Sequence, residues 1–313
     1  MAVDPQIQYV LDLVNKAAYP DYWELDPVSA RRQFEQTAPI LDARPVTLYQ
    51  VEDFTIAGPA GPLPLRCYTP RPSPQPLPVL LWYHGGGFVI GGLNSYDAIC
   101  RWLSKQVDCI VLSVDYRLAP EHPFPAAVDD SFAALNWAAE HAADIGGDPT
   151  RLAVAGDSAG GNLAAVSSLL ARDAGSPKLA LQLLVYPCTA STPDSDSQQR
   201  FAEGYLLSRQ SILWFYEQYL RDPADRLDFR YAPLLAENLS DLPPALLILA
   251  DHDPLHDEGL AYGERLRAAG NQVEIIDYPG MVHAFYSMSN AVDAAKDALQ
   301  RSAEALRQAF AQP

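Results

Sequence analysis

Residues 156–160 of this chain read Gly-Asp-Ser-Ala-Gly and are the part of the sequence best suited to nucleophilic chemistry. An apolar run at 152–155 precedes them, and a run typical of a helix start follows at 161–166. A serine at a sharp turn from a buried strand into a helix is the arrangement known as a nucleophile elbow. Glycines are needed around it because the serine backbone is strained and a neighbouring Cβ would collide with the strand or the helix. We therefore interpret Ser158 as a nucleophile.

A glycine-rich stretch at 84–88 is suited to holding a negatively charged oxygen. It reads His-Gly-Gly-Gly-Phe, so backbone N–H groups there can approach a substrate oxygen with no side chain intervening. We predict that the N–H groups of Gly86, Gly87 and Ala159 form an oxyanion hole. Gly85 is expected to shape the turn.

Six histidines compete for the role of the base that takes the serine proton. His84 belongs to the glycine-rich stretch and is expected to brace it by hydrogen bonding. His122 lies among prolines and is interpreted as structural, and His141 lies near the end of a helical pattern. His283 follows the last predicted strand, at the same sheet edge as Ser158, and is the predicted base.

Three aspartates follow the preceding strand and compete to orient that base. Asp251 is nearest the strand end and would serve the loop, whereas Asp257 begins a helix and suits a cap. Asp253 precedes a proline on the loop and has the reach to meet His283. We favour Asp253 on its placement, and the family resemblance given below adds to that choice.

Apolar runs and helical patterns alternate along the chain. This alternation predicts a parallel sheet covered by helices on both faces. Two further strands around a turn at 58–61 are expected to form an antiparallel edge. The predicted strands are 47–56, 63–68, 79–83, 110–116, 152–155, 181–186, 245–250 and 273–278, and the predicted helices are 128–141, 162–172, 258–269 and 291–310.

Two stretches fall outside the alternation, at 1–45 and 189–235. We predict that 189–235 forms a helical cap over the site, while 46–188 and 236–313 form the core; the family resemblance given below implies that 1–45 is also part of the cap. A helical hairpin packed on the core is the alternative for the second stretch. The first stretch is amphipathic, with one face made of Ile7, Val10, Leu11 and Val14.

The insertion at 189–235 is rich in aromatic residues. An insertion over the carboxyl edge of a parallel sheet lies where ligands bind in α/β proteins. We therefore predict that it encloses an apolar acyl chain of limited length. The predicted pocket residues are Phe88, Phe201, Leu206, Leu207, Trp214 and Phe215.

Composition narrows the function classes. A net charge of −17 argues against nucleic acid and anionic membranes as partners. No apolar run approaches the ~20 residues of a membrane span, and no secretory leader is visible, which predicts a cytoplasmic protein. The four scattered cysteines predict free thiols. His252 and His256 flank a proline turn and lack the spacing of a helical ligand pair, so no metal is predicted.

Taken together, these motifs resemble the bacterial hormone-sensitive-lipase-like carboxylesterases, in the subgroup with a Gly-Asp-Ser-Ala-Gly elbow. The order Ser158, Asp253, His283 along the chain is also that of the α/β-hydrolases. The resemblance implies an α/β-hydrolase fold with a mostly parallel eight-stranded sheet, helices on both faces and a helical cap. It also implies hydrolysis of short-to-medium acyl esters with no metal or organic cofactor. The matching segments are 84–87, 115–121, 156–161, 253–255, 257–259 and 283–285.

The predicted activity is therefore that of a carboxylesterase, with a small-molecule ester as the partner and a Ser-His-Asp acyl-enzyme mechanism. A non-esterase of the same fold is the alternative: a peptidase, a lyase or a binding module. The residues before 46 are too few for the companion domain that such peptidases usually carry. A binding module would have lost a catalytic group, yet Ser158 and His283 are both present. A monomer and a homodimer both remain open.

Overall fold

The computed structural model describes residues 2–312, so residues 1 and 313, which end two of the predicted ranges, lie outside the described part. Its centre is an eight-stranded sheet in the order β1-β2-β4-β3-β5-β6-β7-β8. The strands are β1 Gln50–Gly58, β2 Gly61–Thr69, β3 Leu77–Tyr83, β4 Ile110–Val114, β5 Gly147–Asp157, β6 Leu179–Val185, β7 Ala245–His252 and β8 Val273–Val282. β2 runs antiparallel to its neighbours β1 and β4, and all the other pairs are parallel. The predicted sheet and its antiparallel edge are confirmed.

Helices connect the strands and cover the sheet. They are α1 Pro5–Ala17, α2 Pro27–Leu41, α3 Asp97–Val107, α4 Ala126–His141, α5 Ala159–Ala174, α6 Asp196–Arg200, α7 Arg209–Tyr219, α8 His256–Ala268 and α9 Asp293–Phe310. The four helices predicted in the core correspond to α4, α5, α8 and α9. Helix α3 was not predicted. None of the helices in residues 2–312 is long and apolar enough to cross a membrane.

Alternate side chains of β3 show how the sheet builds two cores. Leu80 and Trp82 belong to the core cluster that includes residues of α3 and α9. Leu81 and Tyr83 belong to the other cluster, which includes residues of α4, α5 and α8. Because successive side chains point to opposite faces, a strand buried on both sides is apolar throughout. All seven residues of β3 are buried.

The first helix packs on the core as well. Asp4 caps α1 by accepting a hydrogen bond from the Gln6 N–H at 2.8 Å, and α1 packs against β8. Ile7, Val10 and Leu11 are buried, as the amphipathic pattern predicts. Val14, which the pattern places on the same face, is 42% exposed, so the buried part of that face ends at Leu11.

The second helix reaches the glycine-rich loop. The Arg31 guanidinium on α2 donates to the Val89 and Ala119 carbonyls at 2.8 and 2.7 Å and pairs with the Glu121 carboxylate. The short turn Tyr22–Glu24 just before α2 packs against α7 of the insertion. The segment before β1 therefore contacts both the core and the insertion.

Both ends of the insertion meet at one point. The Leu234 N–H donates to the Thr189 carbonyl at 3.0 Å. The buried Glu258 carboxylate accepts from the N–H groups of Thr189 and Ala190 at 2.6 and 3.1 Å. Burial raises the pKa of Glu258 to about 7. This carboxyl group at the start of α8 anchors the chain where it leaves the core.

Candidate active site

The predicted nucleophile lies on a strained turn between β5 and α5. Ser158 has φ 54° and ψ −117°, a conformation that costs free energy in a non-glycine residue. A Cβ on Gly160 would collide with the Tyr83 carbonyl oxygen, and one on Gly156 would lie 2.5 Å from the same atom. The Ser158 N–H donates to the Val185 carbonyl at 2.8 Å and holds the turn against β6. The glycines around the serine are therefore required by the close approach of β3.

Ser158, Asp253 and His283 form a connected chain of side chains. His283 Nε2 lies 3.0 Å from Ser158 Oγ, and His283 Nδ1 lies 2.7 Å from Asp253 Oδ2. Asp253 is fully buried, and its other oxygen accepts from the Leu255 N–H at 2.8 Å. Because a carboxylate only accepts hydrogen bonds, this contact favours the tautomer of a neutral ring with its proton on Nδ1. In that tautomer, Nε2 is the unprotonated nitrogen that faces the serine hydroxyl.

The glycine-rich loop follows β3 at the same sheet edge. Gly86 and Gly87 have φ +115° and +59°, in the region that favours glycine. The Gly86 carbonyl accepts from the N–H groups of Val89 and Ile90, both at 3.0 Å, which closes the loop. Within residues 2–312, no backbone carbonyl accepts a hydrogen bond from the N–H of Gly86 or Gly87. The predicted oxyanion hole requires these two N–H groups to lack such a partner.

His84 stands behind that loop. Its Nδ1 lies 2.8 Å from the Gly85 carbonyl oxygen, and its ring stacks on Tyr116 at 4.2 Å. The Tyr116 hydroxyl donates to the His84 carbonyl at 2.6 Å. Burial lowers the pKa of His84 to about 4, so the imidazole is neutral at physiological pH. These contacts match the bracing role predicted for His84.

The two rejected aspartates have other partners. Asp251 Oδ1 accepts from the Gly280 N–H at 2.6 Å and lies 2.5 Å from His252 Nδ1. Asp257 accepts from the Ser197 N–H at 2.8 Å and contacts His256. Among the three aspartates, Asp253 is the one that the structure places against His283. The described residues contain no group of three or more His, Cys, Asp or Glu side chains that could hold a metal ion.

The predicted pocket residues divide into two groups. Phe215 lies against the glycine-rich loop, because a Cβ on Gly87 would collide with its ring, and Trp214 packs on Phe215 at 5.1 Å. Phe88 has φ +64° and stacks on Tyr219 at 3.9 Å.

Phe201 is placed elsewhere. The centre of its ring lies 5.2 Å from that of the His252 ring and 5.1 Å from that of the Tyr205 ring. Leu206 and Leu207 are half-buried and pack against different core clusters. Phe88 is thus part of the glycine-rich stretch, Phe215 packs on that stretch, and Trp214 packs on Phe215. Phe201 instead lies beside His252, at the end of β7.

Two buried residues beside the site were not among those predicted from the sequence. The Tyr186 ring lies 4.6 Å from the His283 ring, and Tyr186 has φ 33°. Asp157, inside the Gly-Asp-Ser-Ala-Gly motif, accepts a hydrogen bond from the Gly85 N–H at 2.8 Å. Asp157 was marked by its place in the motif, but its partner lies 72 residues away and is not visible in a local pattern.

A mostly parallel sheet with a strained serine turn after its fifth strand defines an α/β-hydrolase. The profile of the family described as alpha/beta hydrolase fold matches residues 80–287, and the chain belongs to that family. The relatives and structural neighbours confirm the resemblance to carboxylesterases.

Three of them show the range of similarity. Carboxylic ester hydrolase LipN of Mycobacterium tuberculosis is 50% identical over 76% of this chain, and the match spans 65% of LipN. The ethyl acetate hydrolase of Pseudomonas putida is 40% identical over 91% of both chains. A structure of ester-hydrolase EH1AB1 from the metagenome of Lake Arreo, complexed with a derivative of bipyridine phosphonate, superposes with a TM-score of 0.95. It is 40% identical and covers 99% of this chain and 100% of that one.

Proposed function

We propose that this chain is a carboxylesterase that hydrolyses short-to-medium acyl esters through an acyl-enzyme on Ser158. The observation that carries the proposal is the connected array from Asp253 through His283 to Ser158, at 2.7 and 3.0 Å. The names of the relatives support the reaction class. The acyl-enzyme steps rest on the geometry.

In the first step, Ser158 Oγ attacks the ester carbonyl carbon while its proton passes to His283 Nε2. Asp253 holds the ring in the required tautomer and stabilises the positive charge that forms on it. The carbonyl oxygen becomes an oxyanion that accepts hydrogen bonds from the N–H groups of Gly86, Gly87 and Ala159. Each such donor stabilises the transition state by ~3 kcal/mol.

In the second half of the reaction the roles repeat. His283 donates its proton to the departing alcohol, and the acyl group remains on Ser158. A water then attacks the acyl carbon as His283 takes one of its protons, and collapse of the second oxyanion releases the acid and the free serine. The proposal needs no metal or organic cofactor.

The preference for acyl chains of limited length is supported by the packing at the loop. The Phe215 ring lies against Gly87 and 6.1 Å from the Tyr22 ring, and both residues come from segments outside the sheet. Aromatic side chains so close to the oxyanion donors leave limited room for an acyl chain. We expect water-soluble esters to be hydrolysed faster than emulsified long-chain triglyceride.

The test combines a substrate panel with covalent labelling. p-Nitrophenyl esters of two to eight acyl carbons should be turned over, and an organophosphate should label Ser158 with matching loss of activity. Ser158→Ala should abolish both, while Ser240→Ala, at a half-buried position on the loop that precedes β7, should not.

Other outcomes identify the alternatives. Label on Ser158 with release of a peptide amine but no ester turnover would favour a peptidase. Ligand binding without turnover would favour a binding module. A rate that jumps at the surface of a triglyceride emulsion would contradict the acyl-length preference.

A further inference from the structure

We infer that Asp157 is a positioning residue, which ties the glycine-rich loop to the nucleophile turn and favours positive charge on His283. The inference rests on the proposed function. It adds the Asp157 carboxylate, which is not part of the array of Ser158, His283 and Asp253. Asp157 directly precedes Ser158 in the chain.

Both carboxylate oxygens of Asp157 have donors. Oδ1 accepts from the Gly85 N–H at 2.8 Å, and Oδ2 accepts from the Tyr96 hydroxyl at 3.0 Å. Asp157 is 3% exposed. The Gly85 peptide leads directly into the peptides that carry the donors of Gly86 and Gly87. A shift of the Asp157 side chain would therefore move those donors relative to Ser158.

The glycine at position 85 fits this arrangement. A Cβ on Gly85 would lie 2.5 Å from Asp157 Oδ2 and 2.8 Å from the Tyr96 hydroxyl oxygen. Gly85 has no positive φ, so the requirement for glycine here is the space taken by these two side chains. The first glycine of the loop thus makes room for the carboxylate that holds the loop.

Asp157 also acts on His283 through its charge. Burial raises the pKa of Asp157 to about 6, while the Tyr96 hydrogen bond and positive charge on His283 lower it. The carboxyl group is therefore ionised at pH 8, and an ionised Asp157 attracts a proton onto His283. The same attraction stabilises the imidazolium that forms in the transition state.

The other titratable groups around Asp157 must be considered in any pH experiment. Burial raises the pKa of the four neighbouring tyrosines above the assay range, so they remain neutral. Asp42 differs, because burial raises its pKa to about 7 and it titrates within that range. The groups that interact electrostatically with Asp157 are Asp42, Tyr96, Tyr116, Tyr186, His283 and Tyr286.

The experiment compares Asp157→Asn with the wild-type chain over pH 4.5 to 9, both with and without Asp42→Asn. The asparagine keeps an acceptor for the Gly85 N–H but removes the charge. We expect kcat at pH 8 to fall about tenfold with KM within twofold. The acid limb of the rate profile should move about half a unit or more to lower pH, because no negative charge favours the protonated imidazole.

Tyr96→Phe provides a weaker perturbation of the same kind. It removes the donor to Oδ2, so the carboxylate is harder to ionise, and the acid limb should move to lower pH by less than in Asp157→Asn. If Asp157→Asn fails to fold, this variant alone decides the question. Asp173→Asn, at an exposed site near the far end of α5, is the matched control and should leave the profile unchanged.

Shifts to lower pH in both Asp157→Asn and Tyr96→Phe, with the smaller shift in Tyr96→Phe, would support the inference. An unmoved acid limb in these variants would overturn it, even if kcat fell, because packing damage alone lowers the rate without moving the limb.

NMR titration of the His283 ring separates this result from the proposed function. If the wild type is not labelled at Ser158 and hydrolyses no ester, the proposed function fails. The midpoint of the His283 signals should still move to lower pH in Asp157→Asn, and an unmoved midpoint would overturn the inference.

Discussion

Asp253→Asn is the variant whose cost the geometry defines best. The Asp253 side chain has two fixed partners, the Leu255 N–H at 2.8 Å and His283 Nδ1 at 2.7 Å. With its carbonyl oxygen kept on Leu255, the asparagine turns its NH₂ group toward Nδ1. The ring must then carry its proton on Nε2, which faces Ser158, and it can no longer accept the serine proton.

The alternative orientation of the asparagine limits the loss. If the amide flips, its oxygen accepts from Nδ1 and restores the working tautomer, but the buried Leu255 N–H then faces another donor. Leaving that N–H unsatisfied costs about 1–3 kcal/mol, so the working form is ~10-fold to ~100-fold rarer. It also lacks the carboxylate charge that stabilises the imidazolium. We therefore expect kcat/KM to fall by ~10² to ~10⁴, the upper figure being the cost seen when a triad aspartate becomes asparagine.

The assay is initial-rate hydrolysis of p-nitrophenyl acetate at pH 8, with Asp251→Asn as the matched control. Asp251 is half-buried, and like Asp253 it accepts from a backbone N–H, that of Gly280, from which an asparagine oxygen can equally accept. Asp251→Asn should therefore lose less than tenfold. Near-wild-type activity in Asp253→Asn together with a large loss in Asp251→Asn would refute the assignment of the carboxylate.

Two further perturbations test the loop and the buried acid groups. Gly87→Ala should lower kcat by ~10² or more, because the new Cβ meets the Phe215 ring at a φ of +59°; wild-type kcat in the same ester assay would count against the oxyanion role. Asp42→Asn should raise the melting temperature at pH 8. Burial raises the pKa of Asp42 from 3.8 to about 7, so its contribution to stability is present below pH 4 and is lost as the pH rises toward 7. At ~1.4 kcal/mol per pH unit the gain at pH 8 is at most about 4 kcal/mol; equal gains in thermal melts at pH 4 and pH 8 would contradict that cause.

The sheet was predictable because a strand that is buried on both faces is a continuous apolar run in the sequence. β3 and β7 are almost entirely apolar, and glycines or prolines precede or follow them. These two strands could therefore be predicted without knowledge of their tertiary contacts. Helix α3 was missed although Ile99, Leu103 and Val107 recur at helical spacing, since no strongly apolar run announced it. The exposed Val14 shows that a regular apolar pattern can extend one turn beyond the part of the helix that is buried.

The candidate site was predictable to the extent that its residues follow strand ends. Ser158 and His283 follow β5 and β8, and parallel strands bring their carboxyl ends to one edge, so their meeting follows from topology. The side-chain partners of the pocket aromatics do not follow in this way. Phe201 and Phe215 are both phenylalanines of the same insertion, yet the first packs on His252 and the second packs on the glycine-rich loop.

Asp157 shows what a motif hides. From the sequence alone, an aspartate beside a nucleophile is simply a small polar residue on a tight turn, and no further role is predicted for it. In the structure it is buried, it holds the peptide of Gly85, and Tyr96 completes its hydrogen bonds. A buried carboxylate without hydrogen-bond donors would be destabilising. The position of Asp157 therefore depends on the Gly85 N–H and the Tyr96 hydroxyl, and their positions depend on Asp157. The turn that strains the serine and the loop that is predicted to offer the oxyanion donors are therefore joined through one side chain, and a change in either must also be accommodated by the other.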